Sequence, residues 1–158
     1  MCCFVSQHIL SHTIMFLTEI AKERIVKAIK DAELNTSGEV KVHVEEICPT
    51  EDPTERARQV FQFLCLERTA QRNGVLFYLA YGSHKFAVWG DEGIDKVVPT
   101  NFWDGIRDSM RQYFLLEDFA GGLQMGIRET GNQLKKFFPY RSDDINELSD
   151  DISTDPIP

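Results

Sequence analysis

The chain has 158 residues, 42% of them hydrophobic and 27% charged, with a formal net charge of -8. That is the length and balance of one globular domain with a substantial core. The acidic balance argues against a nucleic-acid ligand, which needs clustered lysine and arginine, and no apolar run approaches the ~18 residues of a membrane span.

Much of the acidity is local. From Arg141 onward six carboxylates face a single arginine, so residues 140–158 read as an acidic, disordered tail. Residues 1–14 carry no charge apart from His8 and His12. They lack the basic start and the small-residue cleavage site of a signal peptide. They read as a non-native or disordered extension, with Met15 as the expected start and residues 15–139 as the domain. Cys2, Cys3, Cys48 and Cys65 show no metal-ligand spacing, and reduced thiols in a cytoplasmic protein are expected.

In chain order, Thr18 is placed to cap a helix over about 19–33. Its apolar face is Ala21, Ile25, Ala28, Ile29 and Ala32. Asn35-Thr36-Ser37-Gly38 stops it. Residues 39–46 alternate, with Val40, Val42 and Val44 on one face and Lys41, His43 and Glu45 on the other, which predicts a strand with one well-buried face. Asp52-Pro53-Thr54-Glu55 combines a cap, a first-turn proline and a possible capping box, and opens a second helix. Residues 75–80 are apolar throughout, the pattern of a central strand covered on both sides. A turn at 81–84 leads into a return strand over 85–89. A short helix is expected over 94–98, a longer one over 101–115 capped by Thr100, and a last one over 119–137 capped by Asp118. Gly122, Gly126 and Gly131 in the last helix cost about 1 kcal/mol each relative to alanine, so close packing against a neighbour is their expected use.

Two strands joined by a helix must run parallel, and the third returns antiparallel to the second. The expected fold class is α/β: a three-layer α/β/α sandwich around a small mixed sheet of order first-second-third. The end of the third strand then lies beside the beginnings of the other two. That places Glu39, Asp91 and Glu92 on one edge, on glycine-flexed loops, with Gly38, Asn73, Asp95 and Asp104 as supporting residues. Carboxylates ~5 Å apart repel by roughly 3 kcal/mol per pair at an effective dielectric of ~20. A raised pKa, a basic partner or a divalent cation relieves this. An Asp, Glu and Asn oxygen set suits Ca²⁺ or Mg²⁺ better than Zn²⁺.

The stretch 32–139 resembles the TPM domain family. The matching pieces are Thr36-Ser37-Gly38-Glu39-Val40, Asn73-Gly74-Val75-Leu76 and Gly90-Asp91-Glu92-Gly93-Ile94. Pro99 with Phe102-Trp103-Asp104, and Gly121-Gly122-Leu123 with Gly126-Ile127, complete them. The resemblance implies an α/β/α sandwich. It also implies divalent-cation binding, chiefly Ca²⁺, by acidic loops at one end of the sheet, which maps onto Glu39, Asp91 and Glu92. An acid phosphatase activity is associated with plant lumenal members. The chain resembles the short soluble bacterial members, which are often encoded beside a LemA-type membrane protein.

The expected function is therefore a cation-binding interaction module. The alternatives are a metal-dependent phosphomonoesterase and a structural partner domain for a LemA-type protein. For an enzyme the residues offer little. No Cys-x5-Arg loop and no strand-end Asp-x-Asp is present. Lys41 and Arg72 are the cations left to hold phosphate. His43, His84, Trp89 and Trp103 read as packing or solvated residues rather than as catalytic groups.

Overall fold

The structure is a computed structural model and describes residues 18–154 and 156–158. The expected extension over 1–14 lies outside the described residues. The elements in chain order are α1 Glu19–Glu33, β1 Glu39–Glu45, α2 Pro53–Phe63, β2 Gly74–Ala80, β3 Lys85–Gly90, α3 Glu92–Asp95, α4 Asp104–Leu115 and α5 Phe119–Leu134, and the three strands form one sheet. Its order is β1-β2-β3, with β1 parallel to β2 and β3 antiparallel to it.

Local chemistry sets most boundaries. Thr18 Oγ1 accepts from the Ala21 amide at 3.2 Å and opens α1. Asp52 caps α2 through the Thr54 amide, with Pro53 in its first turn. Asp118 caps α5 through the Gly121 amide. Three boundaries differ from the sequence reading. α3 spans Glu92–Asp95, opened by Asp91, rather than 94–98. α4 begins at Asp104 rather than 101, because residues 100–103 form turns. There Phe102 and Trp103 stack edge-to-face, and Trp103 lies over Gly90. α5 ends at Leu134, three residues early.

The alternation of β1 and β2 sends side chains to two cores. Val40, Val42, Val44, Val75, Phe77 and Leu79 join α1, α4 and α5 on one face. Leu76, Tyr78 and Ala80 join Ala57, Val60 and Phe61 of α2 on the other. The helix glycines serve close approach as expected: a Cβ on Gly131 would sit 2.9 Å from Ala32, and one on Gly126 would sit 2.5 Å from Met110 Sδ.

The second face of β1 is largely covered too, with Glu39 and His43 buried and Lys41 and Glu45 half-buried, and the C-terminal segment is one of the covers. Residues expected to be a disordered tail lie along the outer edge of β1 as a strap. Ser153 donates to Val42 O (2.8 Å) and accepts from Val44 N (2.9 Å) in a parallel bridge. Leu148, 2% exposed, enters the α2-side core. A strand edge with unpaired amides is a pairing hazard, and the strap covers it.

Candidate functional site

The register fixes what can meet at the head of the sheet. Glu39 pairs with Gly74, and the Asp91 amide donates to Gly74 O at 2.9 Å. Glu39, Gly74 and Asp91 thus form a row across three strands on the α2-side face. Two inter-strand spacings separate the acids, roughly 9.6 Å between backbones. The topology brings both to one edge, as expected, but the side chains part. A Cβ on Gly74 would meet Leu66 O at 3.0 Å, Phe61 at 3.7 Å and Leu148 at 3.8 Å, so backbone and apolar groups fill the space between the acids.

On one side of this wedge, Asp91 is 4% exposed and takes a bidentate ion pair from Arg72, Nε to Oδ2 at 2.7 Å and Nη2 to Oδ1 at 2.9 Å. Arg72 Nη1 reaches Glu92 Oε1 at 3.0 Å. Asp91 also caps α3 through the Glu92 amide. Arg72 sits at φ 50°, a left-handed backbone uncommon for a residue other than glycine. Its carbonyl accepts from the Gly93 amide at 2.9 Å. A Cβ on Gly93 would lie 2.2 Å from Gln71 O. The glycines flanking Asp91-Glu92 are therefore spacing devices, not hinges: among the described residues no glycine has a positive φ. Arg72 occupies the position of a cation here. Asp95 is exposed, and Asp104 pairs with Arg107 at 2.6 Å, so neither joins Glu39.

On the other side, Glu39 is 2% exposed. Its Oε1 accepts from the Glu147 amide at 3.1 Å, and its Oε2 has no hydrogen-bond donor. Glu33, at the end of α1, accepts from the Val40 amide at 3.0 Å and lies beside it. Burial foremost, then a hydrogen bond with Asp150 and the charges of Glu39 and Asp150, push the Glu33 carboxyl up to about 10. Burial, followed by the charges of Asp144 and Glu147, raises Glu39 as well, against the Glu147 amide and a hydrogen bond from Glu33. With Glu33 protonated, its O–H supplies the donor Glu39 Oε2 lacks; with both ionised, that oxygen stays without one. Asn73 contributes a second orphan. Its Nδ2 donates to Ser37 O, and its buried Oδ1 has no donor. Ser37, Asn73, Asp144 and Glu147 line an adjoining cleft of about 410 Å³. Gly38 holds its amide on Thr36 Oγ1 at 3.1 Å, fixing the entry to β1.

The acid set around Glu39 was not in the sequence expectation, because Glu33 closes a helix and Asp144, Glu147 and Asp150 belong to a segment read as disordered. No pattern in the chain announces their meeting. Among the described residues no three His, Cys, Asp or Glu side chains stand in a ready metal-ligand arrangement. The side-chain donors gathered at Glu39 are all oxygens, the class a hard cation takes, whereas at Asp91 Arg72 holds both oxygens.

Further along the same face, Glu45 receives Arg56 bidentately at 2.8 and 2.9 Å and the Tyr78 hydroxyl. Burial would raise Glu45, but these two partners outweigh it and hold the carboxyl below its usual range. His43, fully buried, meets Ser153 Oγ through Nδ1 at 2.9 Å, with Glu45 Oε2 3.8 Å from Nε2. A serine, a histidine and an acid stand in line. The acid is already neutralised by Arg56, so the set works as a buried fastener for the strap.

No helix among the described residues is long and apolar enough to cross a membrane. A comparison with curated proteins gives no match. Among solved structures, the chain is similar to the BA42 protein of the psychrophilic bacterium Bizionia argentinensis. That likeness has 43% identity over 89% of this chain and 96% of that one, with a TM-score of 0.83. The N-terminal domain of the cg2496 protein from Corynebacterium glutamicum shares the fold at 15% identity, with 86% of this chain and 79% of that one covered and a TM-score of 0.60. An N-terminal domain from P. gingivalis does so at 16%, with 78% and 79% covered and a TM-score of 0.59. The family model for the TPM domain matches residues 13–133, and with that span the chain belongs to the TPM domain family.

Proposed function

We propose that the chain is a divalent-cation-binding interaction module, with Ca²⁺ or Mg²⁺ held at the Glu39 end of the sheet. One observation carries this reading: a carboxylate 2% exposed, with an oxygen that no donor meets, beside a second carboxyl pushed up to about 10. A buried acid pair of this kind is relieved by a proton or by a cation. Glu39 and Glu33 would supply ligands from the body, and Asp144, Glu147 and Asp150 from the strap. All are oxygen donors, as Ca²⁺ and Mg²⁺ require. Binding would need side-chain rotation to bring them together. Asp91 and Glu92 stay with Arg72.

The phosphatase and LemA-partner readings rest on family resemblance alone. Arg72 is engaged with Asp91 and Glu92, and Lys41 donates to the carbonyls of Ser149 and Asp151, so both candidate phosphate holders are occupied. The test is calcium-dependent melting with parallel NMR titration. Millimolar Ca²⁺ should raise Tm by mass action on the native state and move amide signals at 38–40 and 144–150. Glu39→Gln should abolish both effects. An unchanged Tm and scattered shifts would remove the cation reading.

A further inference from the structure

The strap is bound as a separate ligand would be. It approaches β1 from outside the sheet and pairs at Val42 O and Val44 N through the two backbone groups of Ser153. Its other ties run mainly from the body to strap backbone. Lys41 Nζ donates to Ser149 O (3.2 Å) and Asp151 O (2.8 Å). Arg56 donates to Ile157 O (3.1 Å) and Pro158 O (3.2 Å). The strap side chains read at the strand edge itself are Leu148, in its apolar slot over Gly74, and Ser153, through Oγ on His43; Glu147 also accepts from the Ala70 amide at 3.0 Å, and Ile152 and Ile157 pack partly against the two cores.

Two features make this seat weakly held. Leu148 is the only buried side chain among the described residues from 141 onward. The strap also brings a carboxylate against like charge: the Glu147 amide sits on Glu39 Oε1, so its side chain lies close to a buried acid. From 147 onward the segment has four carboxylates and no lysine or arginine to offset them.

We propose that the outer edge of β1 is a strand-addition site that residues 147–158 occupy in cis, and that the partner it serves is an extended segment of another protein. That segment has an apolar anchor, a small hydroxyl residue five positions later, and no carboxylate where Glu147 stands. Such a segment keeps every backbone tie the strap makes and avoids its repulsion, so it displaces the strap. The inference is independent of the cation reading and is tested with chelator present.

The probe is a labelled peptide of residues 145–158, and a second peptide carrying Glu147→Gln. In full-length Leu148→Asp, hydrogen exchange at the Val44 amide should quicken at least tenfold while amides between β1 and β2 keep their protection. Both peptides should bind this variant and restore Val44 protection, the neutralised one at least tenfold more tightly. It alone should also bind the wild-type chain. If Leu148→Asp disturbs the core, Ser153→Pro, which leaves Leu148 in place and deletes the donor to Val42 O, gives the same readout. Val44 exchange unaltered in both variants, or peptides that fail to restore it, would overturn the proposal. A wild-type chain that exchanges straps into concentration-dependent dimers and ignores the neutralised peptide would overturn its choice of partner.

Discussion

Replacing Glu33 by glutamine should stabilise this protein at neutral pH, although it removes a partly buried charge-bearing group. The Glu33 carboxyl is pushed up to about 10 from an ordinary 4.5. A group raised in the folded state gives its full stability below the ordinary value, and that stability declines as pH rises through the interval up to the folded value. Each pH unit inside the interval is worth about 1.36 kcal/mol. At pH 7 the chain has climbed two and a half units into it, a cost of ~3 kcal/mol as an upper figure, since Glu33 is not wholly enclosed. Glutamine never ionises. Its oxygen can still accept from the Val40 amide, and its NH₂ can donate to Glu39 as the protonated acid does. A gain of ~2 kcal/mol is expected, or roughly 4–8 °C in Tm for a chain of this length. Melting of wild type and Glu33→Gln should diverge from about pH 5 upward and coincide near pH 4. Saturating Ca²⁺ should shrink or reverse the gain, because the variant lacks a ligand. A variant that melts below wild type at pH 7.5 without metal, or a pH-independent difference, would refute the account of a strained acid pair.

The opposite sign is expected across the wedge. Asp91→Asn should lower Tm by ~3–8 °C by cutting the bidentate contact with Arg72. A neutral or raised Tm would mean that repulsion, not pairing, rules at Asp91. Gly93→Ala forces a methyl to 2.2 Å from Gln71 O, so it should cost more than ~2 kcal/mol and loosen the Arg72 contacts, visible as altered amide shifts at 72 and 91–93. Ca²⁺ binding should release protons near pH 7.5, measurable as buffer-dependent heat in calorimetry, and Glu33→Gln should cut the release sharply; proton-neutral binding would detach the cation from this pair. A double-mutant cycle between Glu39→Gln and Asp91→Asn should give a coupling below ~0.5 kcal/mol, as for independent sites, whereas a coupling above ~1 kcal/mol would mean that the two acids form one cluster.

The sequence announces the architecture because its signals are periodic and local. The valines of β1, the unbroken apolar run of β2 and the caps Thr18, Asp52 and Asp118 each state an element within a few residues. The return of β3 then dictates that Glu39 and Asp91 share an edge. The side-chain pairings were not legible, for a physical reason. Arg72 lies two residues before β2 in a loop, and only its left-handed backbone turns it onto Asp91. Leu148, which helps fill the space over Gly74, sits in a segment whose composition reads as disorder. Composition reports what a segment can bury in total. It is silent on a strap that buries one leucine and spends its backbone on a strand edge.

The row Glu39–Gly74–Asp91 also explains why one acidic edge yields two different chemistries. A carboxylate excluded from water needs a counter-charge, and the chain supplies its own at Asp91, where Arg72 gives two directed hydrogen bonds whatever the medium contains. At Glu39 it supplies only amides and a neighbouring acid, so the missing charge must come from solution, as a proton or a metal ion. The two sources differ in what they report. A proton ties stability to pH alone. A cation at a hundred times its Kd would add about 2.7 kcal/mol to the native state, comparable to the strain worked out for Glu33. The same site would then hold the base of the strap through Glu147 and Asp150. An acidic segment laid against an acidic pocket makes poor sense as a permanent clasp. It makes good sense as one whose grip depends on what sits between the charges.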